Sequence, residues 1–209
     1  GFSAILTENN VDAEMRQQCN EIIQQNSDLL VKLIDDVVDL SNLERGNLSF
    51  HYTHEEVVSL CRKVVDTVER IKQTSAAVCF STPFTELMLT TDAARLQQLL
   101  INLLINATKF TPAGSITLSL ELRDQEALFS VTDTGCGISP DQHDKVFNRF
   151  EKLNELSQGS GLGLSICQLI IQELGGHIWI DPDYHDGARF CFTQLLHRQP
   201  IEARKESTT

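Results

Sequence analysis

The chain opens on a long run in which apolar residues recur every three or four positions. Ile22, Ile23, Leu29, Leu30, Leu33, Ile34, Val37, Val38, Leu40 and Leu43 form a stripe over 13–44, which predicts one amphipathic helix. The stripe is broad, as in a helical bundle rather than a two-stranded zipper. Asn26 interrupts it, and a polar residue in such a seam can fix register. Gly46 and Asn47 end it, as residues that close helices do. Residues 2–6 read as the stub of a preceding antiparallel helix, with 7–12 as the turn. A hairpin with one arm so short buries its stripe poorly, and self-association would resolve that.

After Gly46 the period changes. Residues 48–52 alternate like a strand, and 55–72 are helical. Short strands are expected at 78–80 and 87–89, around a turn at Pro83. A helix follows over 92–110, with Thr91 or Asp92 as its cap. Residues 115–122 and 127–132 predict a hairpin turning at 123–126. A helix over 162–174 stops at Gly175 and Gly176, and 177–180 with 188–196 predict a closing hairpin. Strands and helices mix without regular alternation. The expected class is therefore α+β: a two-layer α/β sandwich, a mixed sheet packed on helices, preceded by part of a helical hairpin. Three regions follow: a partial helical domain over 1–46, the main domain over 47–197, and a charged tail over 198–209 that is expected to fray.

Composition narrows the function. The 209 residues are 41% hydrophobic, enough for a true core. Net charge is 17 − 29 = −12, which argues against a nucleic-acid footprint but not against a nucleotide held by a metal ion and local donors. The six cysteines at 19, 61, 79, 136, 167 and 191 include no C-x-x-C pair. They read as reduced thiols in a cytosolic setting, not as a zinc site or disulfide framework. No apolar run approaches the roughly 18 residues that cross a membrane, and the opening GFSAIL lacks the charged flank of a signal peptide. A piece cut from a membrane-anchored receptor would read the same way.

Four elements carry chemistry. The helix 92–110 is apolar nearly all round, yet Asn102, Asn106 and Lys109 stand at i, i+4 and i+7 on one strip. A single such amide usually bonds to a nearby loop, but two amides and an ammonium in line suit a ligand: Asn for Mg²⁺, Lys for phosphate. In Asp133-Thr134-Gly135-Cys136-Gly137-Ile138 a strand ends on a carboxylate followed by a tight glycine turn, and that carboxylate can accept from an adenine amino group. Ser139 and Gln142 with Pro140 predict a capped helix just beyond. Val146-Phe147-Asn148-Arg149-Phe150 carries two aromatics before a polar stretch, 151–158, a composition that suits a lid. Gly159-Ser160-Gly161-Leu162-Gly163-Leu164 opens a helix, where backbone N–H groups point at an anion. It is neither a P-loop nor a Rossmann fingerprint.

In this order the four elements resemble the N, G1, F and G2 boxes of the catalytic domain of bacterial two-component sensor histidine kinases, with Ser160 where Thr is commoner. Gly175-Gly176-His177-Ile178 and Gly187-Ala188-Arg189-Phe190 are similar to that domain's closing strands, and 39–46 resembles the end of the second dimerisation helix. The resemblance spans about 12–196. It implies Mg·ATP as ligand, with Asn106 on the metal, Lys109 on phosphate and Asn102 along the same strip. Asp133 would hold the adenine amino group, while Gly135, Gly137, Ile138 and Leu162 shape the pocket. Phe147 and Phe150 would anchor the lid, Gly159, Gly161 and Gly163 lie by the phosphates, and Arg149 serves the phosphates or a domain interface. It further implies a homodimer through the helices, transfer of the γ-phosphoryl group to a histidine, and relay to an aspartate of a response-regulator receiver domain.

One departure stands out. The family's phosphoacceptor lies in a His-Glu-hydrophobic-Arg-Thr-Pro-Leu context, and none of the histidines at 51, 54, 143, 177, 185 and 197 has it. No phosphoacceptor and no acid or base is assigned; the chain is expected to begin just downstream of that box. Two other readings remain open: a silent dimeric nucleotide-binding module and a gyrase-like ATPase of the wider superfamily; a mitochondrial-type serine kinase lacks support, because the helix over 13–44 fits the bacterial dimerisation domain better. The ATPases place a water-activating Glu four residues before the metal-binding Asn. Here that position is Asn102, which cannot act as a base.

Overall fold

The structure is a computed structural model that describes residues 49–151 and 161–196, with scattered positions between 15 and 41. Those scattered positions are helical, in keeping with the helix expected there, and Leu30, Ile34, Val37 and Val38 among them are exposed. The rest of 13–44, the stub at 2–6 and the tail at 198–209 lie outside the described residues.

The elements run β1 (Thr53–Glu56), α1 (Val57–Ile71), β2 (Ala77–Ser81), β3 (Met88–Thr91), α2 (Ala93–Phe110), β4 (Ser115–Arg123), β5 (Glu126–Asp133), α3 (Gly163–Glu173), β6 (Ile178–Ile180) and β7 (Arg189–Leu195). Five strands form a mixed sheet in the order β2-β4-β5-β7-β6, and β1 pairs with β3 in a two-stranded sheet. Only β2 and β4 are parallel; the remaining pairs are antiparallel. The two-layer α/β class expected from the pattern is the one observed.

Period-two alternation decides which face is buried. Ile116, Leu118 and Leu120 of β4 face inward beside Val131 and Phe129 of β5, and Phe190 and Phe192 of β7 continue the row. The Phe129 and Phe192 rings stack with centroids 4.7 Å apart. Helix α1 packs on β2 and β4, α2 on β4 and β5, and α3 on β6 and β7. Leu96, Leu99, Leu100, Leu103 and Leu104 of α2 are each 0% exposed, and burying one such side chain stabilises the fold by about 1.5–3 kcal/mol. The last inward position of β5 belongs to Asp133, so the rule that fills the core also turns a carboxylate toward the helices.

Helix starts depend on side-chain acceptors. Asp92, not Thr91, caps α2: its Oδ1 accepts from Arg95 N at 3.1 Å and its Oδ2 from His51 N at 2.9 Å. Glu56 caps α1 through Val58 N and Ser59 N at 2.9 and 2.8 Å, and also accepts from Leu87 N at 3.1 Å.

Two expectations are corrected. The strand read over 48–52 begins at Thr53 instead. Phe50 and Tyr52 are apolar because they lie on the core, and the Tyr52 hydroxyl donates to Glu173 O at 2.8 Å. The ladder partner, β3, is available only from Thr53 onward, opposite Thr91. The capped helix after Ser139 is a single 3-10 turn, Pro140–Gln142, without a side-chain cap. The Ser139 hydroxyl donates to the Gln142 carboxamide at 2.9 Å instead of accepting from the backbone.

Candidate functional site

The site grows from the C-terminal end of β5. Asp133 is 3% exposed. Its Oδ1 accepts from Gly135 N at 2.9 Å and from Ala188 N at 3.3 Å. Burial pushes the carboxyl above its ordinary range, against the pull of those two amides and of the neighbouring Thr111 hydroxyl.

Thr111 closes α2 and is fully buried, and its Oγ1 forms no hydrogen bond of acceptable geometry among the described residues. A buried hydroxyl left so is costly unless something else meets it. A base with an amino donor and ring acceptors fits that pair. The glycine turn explains how close the parts come. Cys136 N donates to Phe110 O at 3.3 Å, and a Cβ on Gly135 would run into that same carbonyl and into Thr111 Oγ1.

The strip on α2 is present as expected. Asn102 and Asn106 are half-buried, and neither carboxamide is taken up by a protein hydrogen bond among the described residues. Lys109 is exposed in the last turn, where a cation also complements the helix dipole. A Cβ at Gly163 would stand 3.9 Å from the Asn102 carboxamide carbon, so the strip meets the start of α3. That helix begins at Gly163, and its N-cap residue Leu162 makes no side-chain cap; a helix start presents backbone donors suited to an anion. Leu162 is fully buried, and its carbonyl accepts from the Ser165 hydroxyl at 2.8 Å.

The two aromatics part company. Phe147 is 9% exposed and meets Phe190 edge-on, with centroids 6.3 Å apart. Phe150 is 66% exposed with φ 60°, so its ring does not pack into the domain as that of Phe147 does. Phe150 N donates to Gly161 O at 2.9 Å, and Gly161, at φ 70°, has no room for a Cβ against Phe150. Arg149 is exposed, and Gly159 lies outside the described residues.

A pocket of about 300 Å³ is lined by Cys136, Gly137, Ile138, His143, Tyr184 and Gly187 among others. It includes neither Asp133 nor the α2 strip, so it adjoins the proposed base position and is not that position itself. Among the described residues no cluster of three or more His, Cys, Asp or Glu side chains is built to hold a metal, all six cysteines are free thiols, and no helix is long and apolar enough to cross a membrane. Sequence reasoning missed Tyr184, whose hydroxyl donates to Asp133 O at 3.1 Å; no local pattern marks it.

Residues 91–198 match the family profile described as histidine kinase-, DNA gyrase B- and HSP90-like ATPase. The sensor histidine kinase WalK of Bacillus subtilis (strain 168) is 28% identical over 179 residues, covering 82% of this chain and 29% of WalK. The crystal structure of full-length ShkA in complex with AMPPNP is 29% identical with TM-score 0.73, over 97% of this chain and 44% of ShkA. The histidine kinase ThkA, solved in complex with the response regulator TrrA, is 26% identical with TM-score 0.76, over 94% of this chain and 56% of ThkA. The chain spans between about a quarter and a half of the length of the curated relatives it matches.

Proposed function

The chain belongs to the histidine kinase-, DNA gyrase B- and HSP90-like ATPase family, and on that premise we propose that it binds Mg·ATP and passes the γ-phosphoryl group to a protein histidine. The observation that carries this reading is the buried Asp133 carboxylate beside the unpartnered Thr111 hydroxyl. A buried acceptor and donor side by side suit the amino and ring-nitrogen edge of adenine. At the other end Asn102, Asn106 and the uncapped start of α3 suit a triphosphate.

Asn106 would hold Mg²⁺, which when bound neutralises phosphate charge. Lys109 and the α3 amides orient the phosphates, and Asn102 lines them. The reaction then rests on positioning: the acceptor nitrogen attacks the γ-phosphorus in line, the bond to the β-phosphate oxygen breaks, and ADP leaves. Residue 102, where a gyrase-like ATPase would place its water-activating Glu, is an amide and cannot act as that base. That favours transfer over the hydrolysis that a gyrase-like reading requires. In the longer protein the phosphoryl group would continue to a response-regulator aspartate, with the helix of 13–44 as the dimer contact. The complex of ThkA with TrrA supports that partner class.

The test uses radioactive γ-labelled ATP with Mg²⁺. The chain should bind it yet leave its own six histidines unlabelled, since none has the acceptor context. Adding a helical hairpin that carries an acceptor histidine in that context should yield an acid-labile, base-stable label. Rapid release of inorganic phosphate without an acceptor would put the ATPase reading ahead, and strong self-labelling would refute the account of the acceptor.

A further inference from the structure

The β5–β7 ladder ends on an exchanged rung. Thr132 lies opposite Arg189, and the next rung sets Asp133 against Ala188, with Asp133 N donating to Ala188 O at 2.8 Å. A regular antiparallel rung would return the bond from Ala188 N to the Asp133 carbonyl. Here Ala188 N donates to the Asp133 carboxylate instead, at 3.3 Å. The displaced carbonyl accepts from the Tyr184 hydroxyl at 3.1 Å. A buried carbonyl is not left unpaired at small cost, so the side chain's place in the rung depends on a substitute donor.

Tyr184 is held for that task. Its ring lies under the Arg189 guanidinium, 4.3 Å from the ring centroid. Arg189 is fixed in turn by Asp181 at 3.0 Å and by the Thr132 hydroxyl at 3.1 Å. Gly187 passes so close that a Cβ there would run into the Asp133 carbonyl. Burial and the Asp186 carboxylate keep the phenol above its ordinary range, so it remains a donor.

We propose that Tyr184 is a positioning residue for base recognition: by taking up the Asp133 carbonyl it releases the Ala188 amide to hold the Asp133 carboxylate in its aim at the base. The proposal rests on the nucleotide reading of the site. Without the hydroxyl, the carbonyl recaptures the Ala188 amide, the ordinary rung forms, and the carboxylate keeps only Gly135.

The test compares the parent chain, Tyr184→Phe, Asp133→Asn and the double variant, each titrated with Mg·ATP by calorimetry and by NMR of the Ala188 amide. Thermal melts establish that each variant folds. Tyr184→Phe should bind Mg·ATP roughly tenfold more weakly, the effect of one misplaced charge-assisted hydrogen bond. Its Ala188 amide resonance should move as its acceptor changes from carboxylate to carbonyl. In the Asp133→Asn background the same change should cause little further loss, because Tyr184 acts through that carboxylate. An equal loss in both backgrounds, or parent-like affinity with an unmoved Ala188 resonance, overturns the proposal. A parent chain that binds no Mg·ATP overturns the nucleotide reading together with it, a result distinct from the other two.

Discussion

At Asp133 both the peptide groups and the carboxylate are met by protein: Ala188 O, the Tyr184 hydroxyl, Gly135 N and Ala188 N. On the α2 strip, Asn102 and Asn106 project with neither carboxamide taken up among the described residues. The difference follows from the elements that carry them. A strand that stops at a sheet's end leaves backbone donors and acceptors free to grip a side chain. A helix spends its backbone groups internally, so none is left to grip the Asn102 and Asn106 carboxamides. On the proposed reading, the base end is set before ligand arrives, whereas the Asn102 and Asn106 carboxamides await the ligand and its metal. Binding should cost less ordering at the first end than at the second.

Three substitutions test that contrast. Asn106→Asp acts at a carboxamide that no protein hydrogen bond takes up among the described residues. It sets a carboxylate beside phosphates and should weaken Mg·ATP binding on the order of a hundredfold, while leaving the preference for adenine over guanine unchanged. Calorimetry with both nucleotides decides it, and near-normal affinity would remove Asn106 from the phosphate end.

Asp133→Asn should weaken ATP about tenfold to thirtyfold, the scale of a hydrogen bond to a charged group, and should narrow the gap between ATP and GTP. Its effect on the empty fold has the opposite sign. The folded carboxyl lies above the unfolded Asp value of 3.8, so the stability it contributes is present below that value and lost as pH rises through the folded pKa. At neutral pH the variant should melt higher than the parent. ATP affinity of the parent should fall as pH drops through the same raised pKa. A lower melting point for Asp133→Asn would show that the carboxylate supports the fold rather than strains it.

Thr111→Val is the mildest change. It should weaken ATP about threefold to tenfold, as loss of one neutral hydrogen bond does, without lowering the melting point of the empty protein. A hydroxyl that served only the fold would produce the reverse pattern.

Much of the base end was legible in the sequence, because β5 alternates so regularly that the parity of Ala127, Phe129 and Val131 carries on to Asp133. The α2 strip was legible for the same reason, polar residues at helical spacing in an apolar helix. What escaped depended on partners distant in sequence. Tyr184 reaches Asp133 across 51 positions, and nothing near it distinguishes it from an ordinary loop tyrosine. Phe50 and Tyr52 look like a strand because extended chain packed on a core alternates whether or not a ladder partner is present. Ser139 and Gln142 have the spacing of a capping box, but the backbone there makes only one tight turn. Phe147 and Phe150 share a motif, yet only the first finds a ring to meet.

The bond from Phe150 N to Gly161 O joins two points eleven positions apart in the chain like the neck of a purse. Whatever the intervening stretch contains, its ends leave and re-enter the domain at one place. Lengthening a loop whose ends are pinned costs only about 0.6 kcal/mol per doubling. Insertions and deletions between 151 and 160 should therefore leave the start of α3 and the Phe150–Gly161 bond in place.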